Sequence, residues 1–107
     1  MTGASAVVIE RFFQPDHPAS QGHFPGNPII PGAMLLSEAV MAIEHRLGAS
    51  LAPFQVISAK FLHPARPGER VVIAYSRAAG GEIEFACSVE GRPVLSGRMS
   101  CHALPTR

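Results

Sequence analysis

A dense run of chain breakers leads directly into a stretch that contains none. Residues 22–32, GHFPGNPIIPG, hold six of the 10 Gly and 10 Pro of this 107-residue chain, where proportional scatter would place about two. The next segment, AMLLSEAVMAIEHRL, has no Gly or Pro and stops before Gly48. Prolines fix the backbone on one side of the junction and nothing opposes a helix on the other, so the spacing predicts a helix over 33–47 that Gly48 terminates. At 100° per residue Leu36, Ala39, Val40, Ile43 and Leu47 form one apolar arc, and Met34 and Met41 carry apolar character to another side. A helix apolar over so much of its girth is expected to be mostly buried. Its polar residues, Ser37, Glu38, Glu44, His45 and Arg46, are then the ones whose presence needs a reason.

The rest of the chain reads as strands. Residues 6–13, AVVIERFF, are rich in β-formers and end at Gln14-Pro15, before a long stretch without regular pattern. Residues 54–63 and 70–77 flank the turn Pro64-Ala65-Arg66-Pro67-Gly68. In 82–90 the apolar Ile83, Phe85, Cys87 and Val89 alternate with the residues between them, and 95–103 repeats the alternation after Gly91-Arg92-Pro93. Matching the apolar faces pairs Val89 with Leu95 and Phe85 with Met99, which requires a bulge or an odd loop. In any nearby register Cys101 lies ~13 Å from the partner of Cys87, beyond the ~7 Å limit for a disulfide. The expected architecture is one α+β domain over 1–107: a strand, a long loop, a buried helix, then four strands in a meander wrapped around that helix.

Composition narrows the possible partners. A formal net charge of +1, a pI near 7.9 and a single lysine, Lys60, provide no broad positive field for a nucleic-acid backbone. Apolar runs are only a few residues long and the N-terminal MTGASAVVIE lacks the pattern of a secretory leader, so a soluble cytoplasmic protein is expected, with no membrane partner. Only 16% of residues are charged, against about 25% in a typical domain. Some apolar surface is therefore expected to be covered by another subunit.

Two groups near the Gly/Pro-rich segment could carry chemistry. His23 has a side chain whose ordinary pKa, about 6.5, suits proton transfer near neutrality, and the surrounding prolines and glycines would fix its direction. The alternative is a histidine that only holds the loop through a backbone carbonyl. Gly32 opens the helix, so its N–H belongs to the donors that lack an intrahelical acceptor and sit at the positive dipole end. Such a donor can hold a thioester carbonyl oxygen and stabilise the charge that develops when the adjacent carbon loses a proton. Otherwise Gly32 serves close packing alone. No His, Cys or carboxylate pair has the spacing of metal ligands, and no metal is expected.

The segment GHFPGNPIIPGAMLL resembles the active-site signature of the FabA/FabZ-type 3-hydroxyacyl-(acyl carrier protein) dehydratases, and DHPASQ and KFLHPARPGERVVI are also similar to that family in type and spacing. The resemblance extends over most of the chain from about Asp16. It implies the hotdog fold, an antiparallel sheet wrapped around one long helix. It also implies that His23 removes the α proton of a 3-hydroxyacyl thioester and that the Gly32 N–H binds the thioester carbonyl. In the family a helix carboxylate from the other subunit of a dimer handles the departing hydroxyl, and it stands fourteen residues after the histidine. Here that position is Ser37.

Ser37 can hydrogen-bond a hydroxyl or a water but is no acid at neutral pH. Glu38 could take the position if the helix start shifted by one residue; otherwise it is a structural partner of His45. Glu44 is about 20° from Ser37 around the helix but ~10 Å along it. Phe24, Pro31, Met34 and Met41 are expected to contact the acyl chain. Arg66, Arg70, Arg92 and Arg98 are candidates for an acidic carrier protein or its phosphate. His17, His63 and His102 read as loop-shaping or solvent-facing. No bound cofactor is expected, because the phosphopantetheine arm belongs to the substrate, supplied as an acyl carrier protein or coenzyme A thioester.

Three functions fit this reading: a 3-hydroxyacyl-thioester dehydratase of fatty-acid or polyketide-like synthesis, a hotdog thioesterase, and a non-catalytic acyl-binding subunit that pairs with an active homologue. A homodimer or higher oligomer is expected for the first, a heterodimer for the last.

Overall fold

In a computed structural model the described residues are 6–13 and 29–101. The elements are β1 (Val7–Phe12), α1 (Gly32–Leu47), β2 (Phe54–Phe61), β3 (Arg70–Ala78), β4 (Glu82–Val89) and β5 (Arg92–Cys101). The strands form one sheet in the order β1-β3-β4-β5-β2, antiparallel at every pairing. Helix α1 buries Leu35, Ala39, Val40, Ala42 and Ile43, in one core cluster with Ile73, Tyr75, Ile83, Phe85, Leu95 and Met99 from the sheet. Alternation along β3 and β4, and in part along β5, supplies that sheet face, so the core follows from period-2 and helical patterning together. None of the helices among the described residues is long and apolar enough to cross a membrane.

The expected four-strand meander holds only for β3, β4 and β5. Strand β2 lies at the far edge beside β5 rather than next to β3. The connection between β2 and β3 contains Pro64 and Pro67, which lack N–H donors, and docks elsewhere. Ile30 donates its N–H to Ala65 O at 2.7 Å, and Gly68 donates to Phe13 O at 2.6 Å. These bonds tie the connection to the segments before α1 and after β1 and carry the chain from one edge pairing to another.

The β4–β5 register also differs from expectation. Glu90 (φ 51°) and Gly91 (φ 79°) both occupy the left-handed region, which a two-residue hairpin of the right twist requires, so Val89 pairs with Arg92. A shift between Cys87 and Ser88 then brings Cys87 opposite Leu95 and Phe85 opposite Gly97. Val94 is the extra residue of the bulge, and both Val94 and Leu95 are fully buried. Cys87 and Cys101 are buried and free, as the strand arithmetic predicts.

Helix α1 is less buried than its composition suggests. Leu36 and Leu47 are half-buried, while Ala33, Ser37 and Met41 are exposed along one stripe, Met41 at 53%. Edge strand β2 continues this open surface: Phe54, Val56, Ile57 and Phe61 are all exposed.

Candidate active site

Pro31 precedes α1 with extended backbone (φ −57°, ψ 142°) and provides no side-chain cap, and the first turn holds no acidic residue. The Leu35 N–H bonds back to Pro31 O at 3.0 Å. The N–H groups of Gly32, Ala33 and Met34 precede that bond and have no intrahelical acceptor. The positive end of the helix dipole is therefore not neutralised by a first-turn carboxylate.

A cavity of about 240 Å³ opens beside this helix start, with Gly32, Leu35, Phe61, His63 and Ala65 among its walls. Phe61 lies against Gly32: a Cβ on residue 32 would stand 2.9 Å from both Cδ1 and Cε1 of the ring. Glycine at this position is thus favoured by a close approach, since any larger residue would have to displace the ring. His63 is exposed, as its turn position predicts, yet it borders the same cavity, which its sequence setting did not suggest.

A second hollow, about 340 Å³, runs along α1 between the helix and β2. The helix wall descends through Ala33, Ser37, Met41 and Glu44, and Phe54 and Val56 form the strand wall. Strand β2 runs antiparallel to the helix here. Its last residue, Phe61, is beside Gly32, and its first, Phe54, pairs with Cys101. Glu44 lines the same hollow as Phe54, and burial, followed by the Glu44 carboxylate, pushes the Cys101 thiol pKa up.

Glu44 also orders the segment after the helix. Gly48 adopts φ 74° and donates to the Glu44 and His45 carbonyls at 2.9 and 3.3 Å, closing the helix. The Glu44 side chain then accepts at Oε2 from the Leu51 N–H at 2.8 Å and from Ser50 Oγ at 3.5 Å.

The candidate residues fall into separate places. Gly32 borders the helix-start cavity; Ser37 and Met41 border the groove; Met34 packs on the margin of the core and lines neither. Glu38 is half-buried, borders neither hollow, and forms no ion pair with His45 among the described residues, so the expected Glu38–His45 partnership is not made. His23 and Phe24 lie outside the described residues, as do His17 and His102. Three of the four candidate arginines pair with carboxylates: Arg70 with Glu10 and Arg92 with Glu69, each at 3.8 Å, and Arg98 with Glu82 and Glu84 at 3.7 and 3.1 Å. Arg66 uses its backbone N–H, donating to Glu69 Oε1 at 2.7 Å. Among the described residues, then, Gly32 and Ser37 border different hollows. Five helical steps separate them by about 140° around the axis.

Residues 2–98 match the family model described as ApeI dehydratase. The chain belongs to the ApeI-like dehydratase family. Among curated relatives, the 3-hydroxyacyl-[acyl-carrier-protein] dehydratase FabZ of Rhizorhabdus wittichii is 34% identical over 116 residues, covering 96% of this chain and 66% of the relative. The FabZ of Aliarcobacter butzleri is 32% identical, covering 80% and 65%. The chain thus spans somewhat less than two thirds of the length of these relatives. Among solved structures, the dehydratase heterocomplex ApeI:P from Xenorhabdus doucetiae superposes with a TM-score of 0.72 at 17% identity, over 91% of this chain and 88% of that one. A 1,4-dihydroxy-2-naphthoyl-CoA thioesterase from Synechocystis gives 0.63 at 18% identity, over 94% and 85%. At such identities the structures establish the fold alone, an α+β hotdog. They include both dehydratase and thioesterase, so the choice of reaction rests on residues of this ApeI-like chain.

Proposed function

We propose that this ApeI-like protein acts on 3-hydroxyacyl thioesters as the subunit that removes the α proton and holds the carbonyl, in a dehydratase completed by a second chain. The observation that carries this reading is the uncapped N–H of Gly32 at the wall of a cavity sized for a small acyl group, in a chain that keeps the HFPGNPIIPG signature. The Gly32 N–H donates to the thioester carbonyl oxygen and stabilises the negative charge that develops there. His23 takes the C2 proton, the C2–C3 double bond forms, and the C3–O bond breaks. The departing hydroxide takes up a proton to leave as water, and that proton needs an acid, a contribution typically worth 10²–10⁴-fold. The phosphopantetheine arm of an acyl carrier protein or coenzyme A thioester presents the substrate, with no bound cofactor of the protein's own.

A second chain is supported by surface and by geometry. Edge strand β2 is paired on one side only among the described residues, and the stripe from Ser37 and Met41 across to Phe54 and Ile57 is apolar and open. Such an edge is a template for strand pairing with another copy or a homologue. Ser37 lies on that open stripe, at the helix position where a partner's site would receive an acid.

Two assemblies follow. In a homodimer Ser37 or Glu38 contacts the hydroxyl and turnover is slow; in a heterodimer the partner supplies a carboxylate from its own helix and this chain lends His23. The serine at position 37 favours the second, and the ApeI:P neighbour is itself a heterocomplex by its description. A test incubates purified protein with 3-hydroxyacyl and enoyl pantetheine thioesters and follows enoyl absorbance and free thiol together, for wild type, His23→Ala, Ser37→Asp and Glu38→Gln. Enoyl formation that requires His23 and rises in Ser37→Asp supports the proposal. Thiol release without enoyl establishes a thioesterase instead.

A further inference from the structure

The cavity at the helix start holds one side chain that the reaction has so far left idle. Its walls are glycine, proline and apolar side chains apart from His63, which among the described residues is the one wall residue whose side chain can donate a hydrogen bond. Among the described residues the imidazole is in no hydrogen bond or ion pair. Its main chain, by contrast, is held on both sides. Leu62 donates its N–H to Val94 O in β5 at 3.0 Å, and Ile30, two residues before the helix, donates to Ala65 O at 2.7 Å. Between these bonds Pro64 disfavours helical backbone at His63. The same end of β2 passes close to the helix, since the Phe61 ring lies against Gly32. Three backbone donors on these walls are already spent: the N–H groups of Ile30, Leu35 and Leu62 bond to the carbonyls of Ala65, Pro31 and Val94. The Gly32 N–H has no intrahelical acceptor, and the His63 imidazole borders the same space.

We propose that His63 is a catalytic residue of the carbonyl site: its imidazole donates a second hydrogen bond to the thioester oxygen that the Gly32 N–H holds. This rests on the thioester reading above and adds a residue to it. When the C2–H bond breaks, the proton passes to the base and the electron pair moves through C1 onto the carbonyl oxygen, which becomes the enolate oxygen. Two donors aimed at that oxygen share its charge, and neither gives up its proton. A neutral imidazole presents one N–H and an imidazolium two, so the role does not depend on the titration of His63. The first turn of α1 holds no acidic residue to compete for the imidazole. The bonds at Leu62 and Ala65 fix the backbone that carries it before the charge forms, and such donors owe their effect to being in place in advance.

The test follows C2 deuterium exchange of a saturated acyl pantetheine thioester in deuterated water, beside equilibrium binding of the S-alkyl pantetheine that has CH2 in place of the carbonyl. The variants are His63→Leu, which loses the donor, and His63→Gln, which keeps one. Both change an exposed side chain, and thermal unfolding checks that they fold. Removing one oxyanion donor typically costs 10²–10³-fold, and because water screens the exposed His63 a loss of about tenfold or more is expected in His63→Leu. His63→Gln is expected to recover most of that loss, and the alkyl analogue to bind alike in all three proteins. Exchange unchanged in His63→Leu overturns the donor role and leaves the thioester reading standing. An equal loss in both variants does the same, because the imidazole then moves a proton rather than donating a bond. So does a loss matched by weaker binding of the alkyl analogue, because His63 then only shapes the cavity. Absence of exchange in wild type overturns the thioester reading and the His63 role with it.

Discussion

The Phe61 ring occupies the space that any side chain on Gly32 would need: its Cδ1 and Cε1 atoms lie 2.9 Å from the site of a Cβ. The edge strand and the helix start are therefore in contact through a missing side chain. Gly32→Ala is expected to push the ring or the helix start aside and to cost ~1–2 kcal/mol, toward the low side of overpacking because Phe61 is 53% exposed and has room to turn. Phe61→Ala in the same chain should recover most of that loss. Urea unfolding of the two single variants and the double variant measures the coupling, which for residues in contact should exceed ~0.5 kcal/mol. Additive effects would show that the ring does not press on residue 32.

A second glycine carries more of the fold. A Cβ on Gly97 would stand 2.5 Å from the backbone oxygen of Ser58 in β2 and 2.7 Å from Cζ of the buried Phe85. A backbone oxygen cannot swing away as an exposed ring can. Gly97→Ala should lower stability by ~3 kcal/mol or more, at or beyond the upper range for overpacking, and loosen β2 from β5. Hydrogen exchange of the β2 amides, compared with those of β3, reports the local part: selective loss of protection in β2 is expected, and uniform loss would contradict it.

Much of this arrangement is legible in the sequence, and the failures have physical causes. The breaker-free segment beginning at Ala33 gives α1 to within one residue, and alternation through Ile83, Phe85, Cys87 and Val89 gives the buried face of β4. The position of β2 is not legible, because local pattern says which face of a strand is apolar but not which strand it pairs with. Bonds from Ile30 to Ala65 and from Gly68 to Phe13, distant in sequence, decide that. The β4–β5 register depended on the turn at Glu90-Gly91, where a non-glycine residue takes positive φ. At the site, Gly32 could be picked out from its place at the helix start. Its neighbour Phe61 could not, being 29 positions away on an edge strand.

Alkaline conditions should destabilise the protein through Cys87. Burial raises its thiol pKa from 9.0 to about 12. Below pH 9 the thiol is protonated in both the folded and the unfolded chain and contributes no pH dependence. Between pH 9 and 12 the unfolded chain releases the proton while the folded chain retains it, so stability falls as pH rises. Urea unfolding at pH 8, 9.5 and 10.5 should show this decline, and Cys87→Ala should flatten it relative to wild type while lowering stability at pH 8. A slope unchanged by the substitution would assign the effect to another group.

Glu44 should matter to the fold independently of any ligand. Glu44→Ala leaves the Leu51 N–H, which meets Oε2 at 2.8 Å, without its acceptor next to a fully buried side chain. A loss of ~1–3 kcal/mol is expected. Ser50→Ala, which removes the 3.5 Å contact to Glu44 and the exposed 3.2 Å bond that Ser50 Oγ accepts from the Ala52 N–H, should cost less than ~1 kcal/mol. Equal losses in the two variants would mean that the Leu51 bond is not the main role of the carboxylate in the fold.

The division of labour between this chain and an acid from elsewhere is tested most directly by proton exchange at C2 of a saturated acyl pantetheine thioester in deuterated water. Such a thioester has no hydroxyl to lose, so exchange needs only a base and an oxyanion donor. Wild type should catalyse deuterium incorporation at C2, with His23→Ala abolishing it and Ser37→Ala leaving it within about twofold, because an acid has no part in that step. Absence of exchange in wild type, or exchange that survives His23→Ala, would contradict the assignment of base and carbonyl donor to this chain.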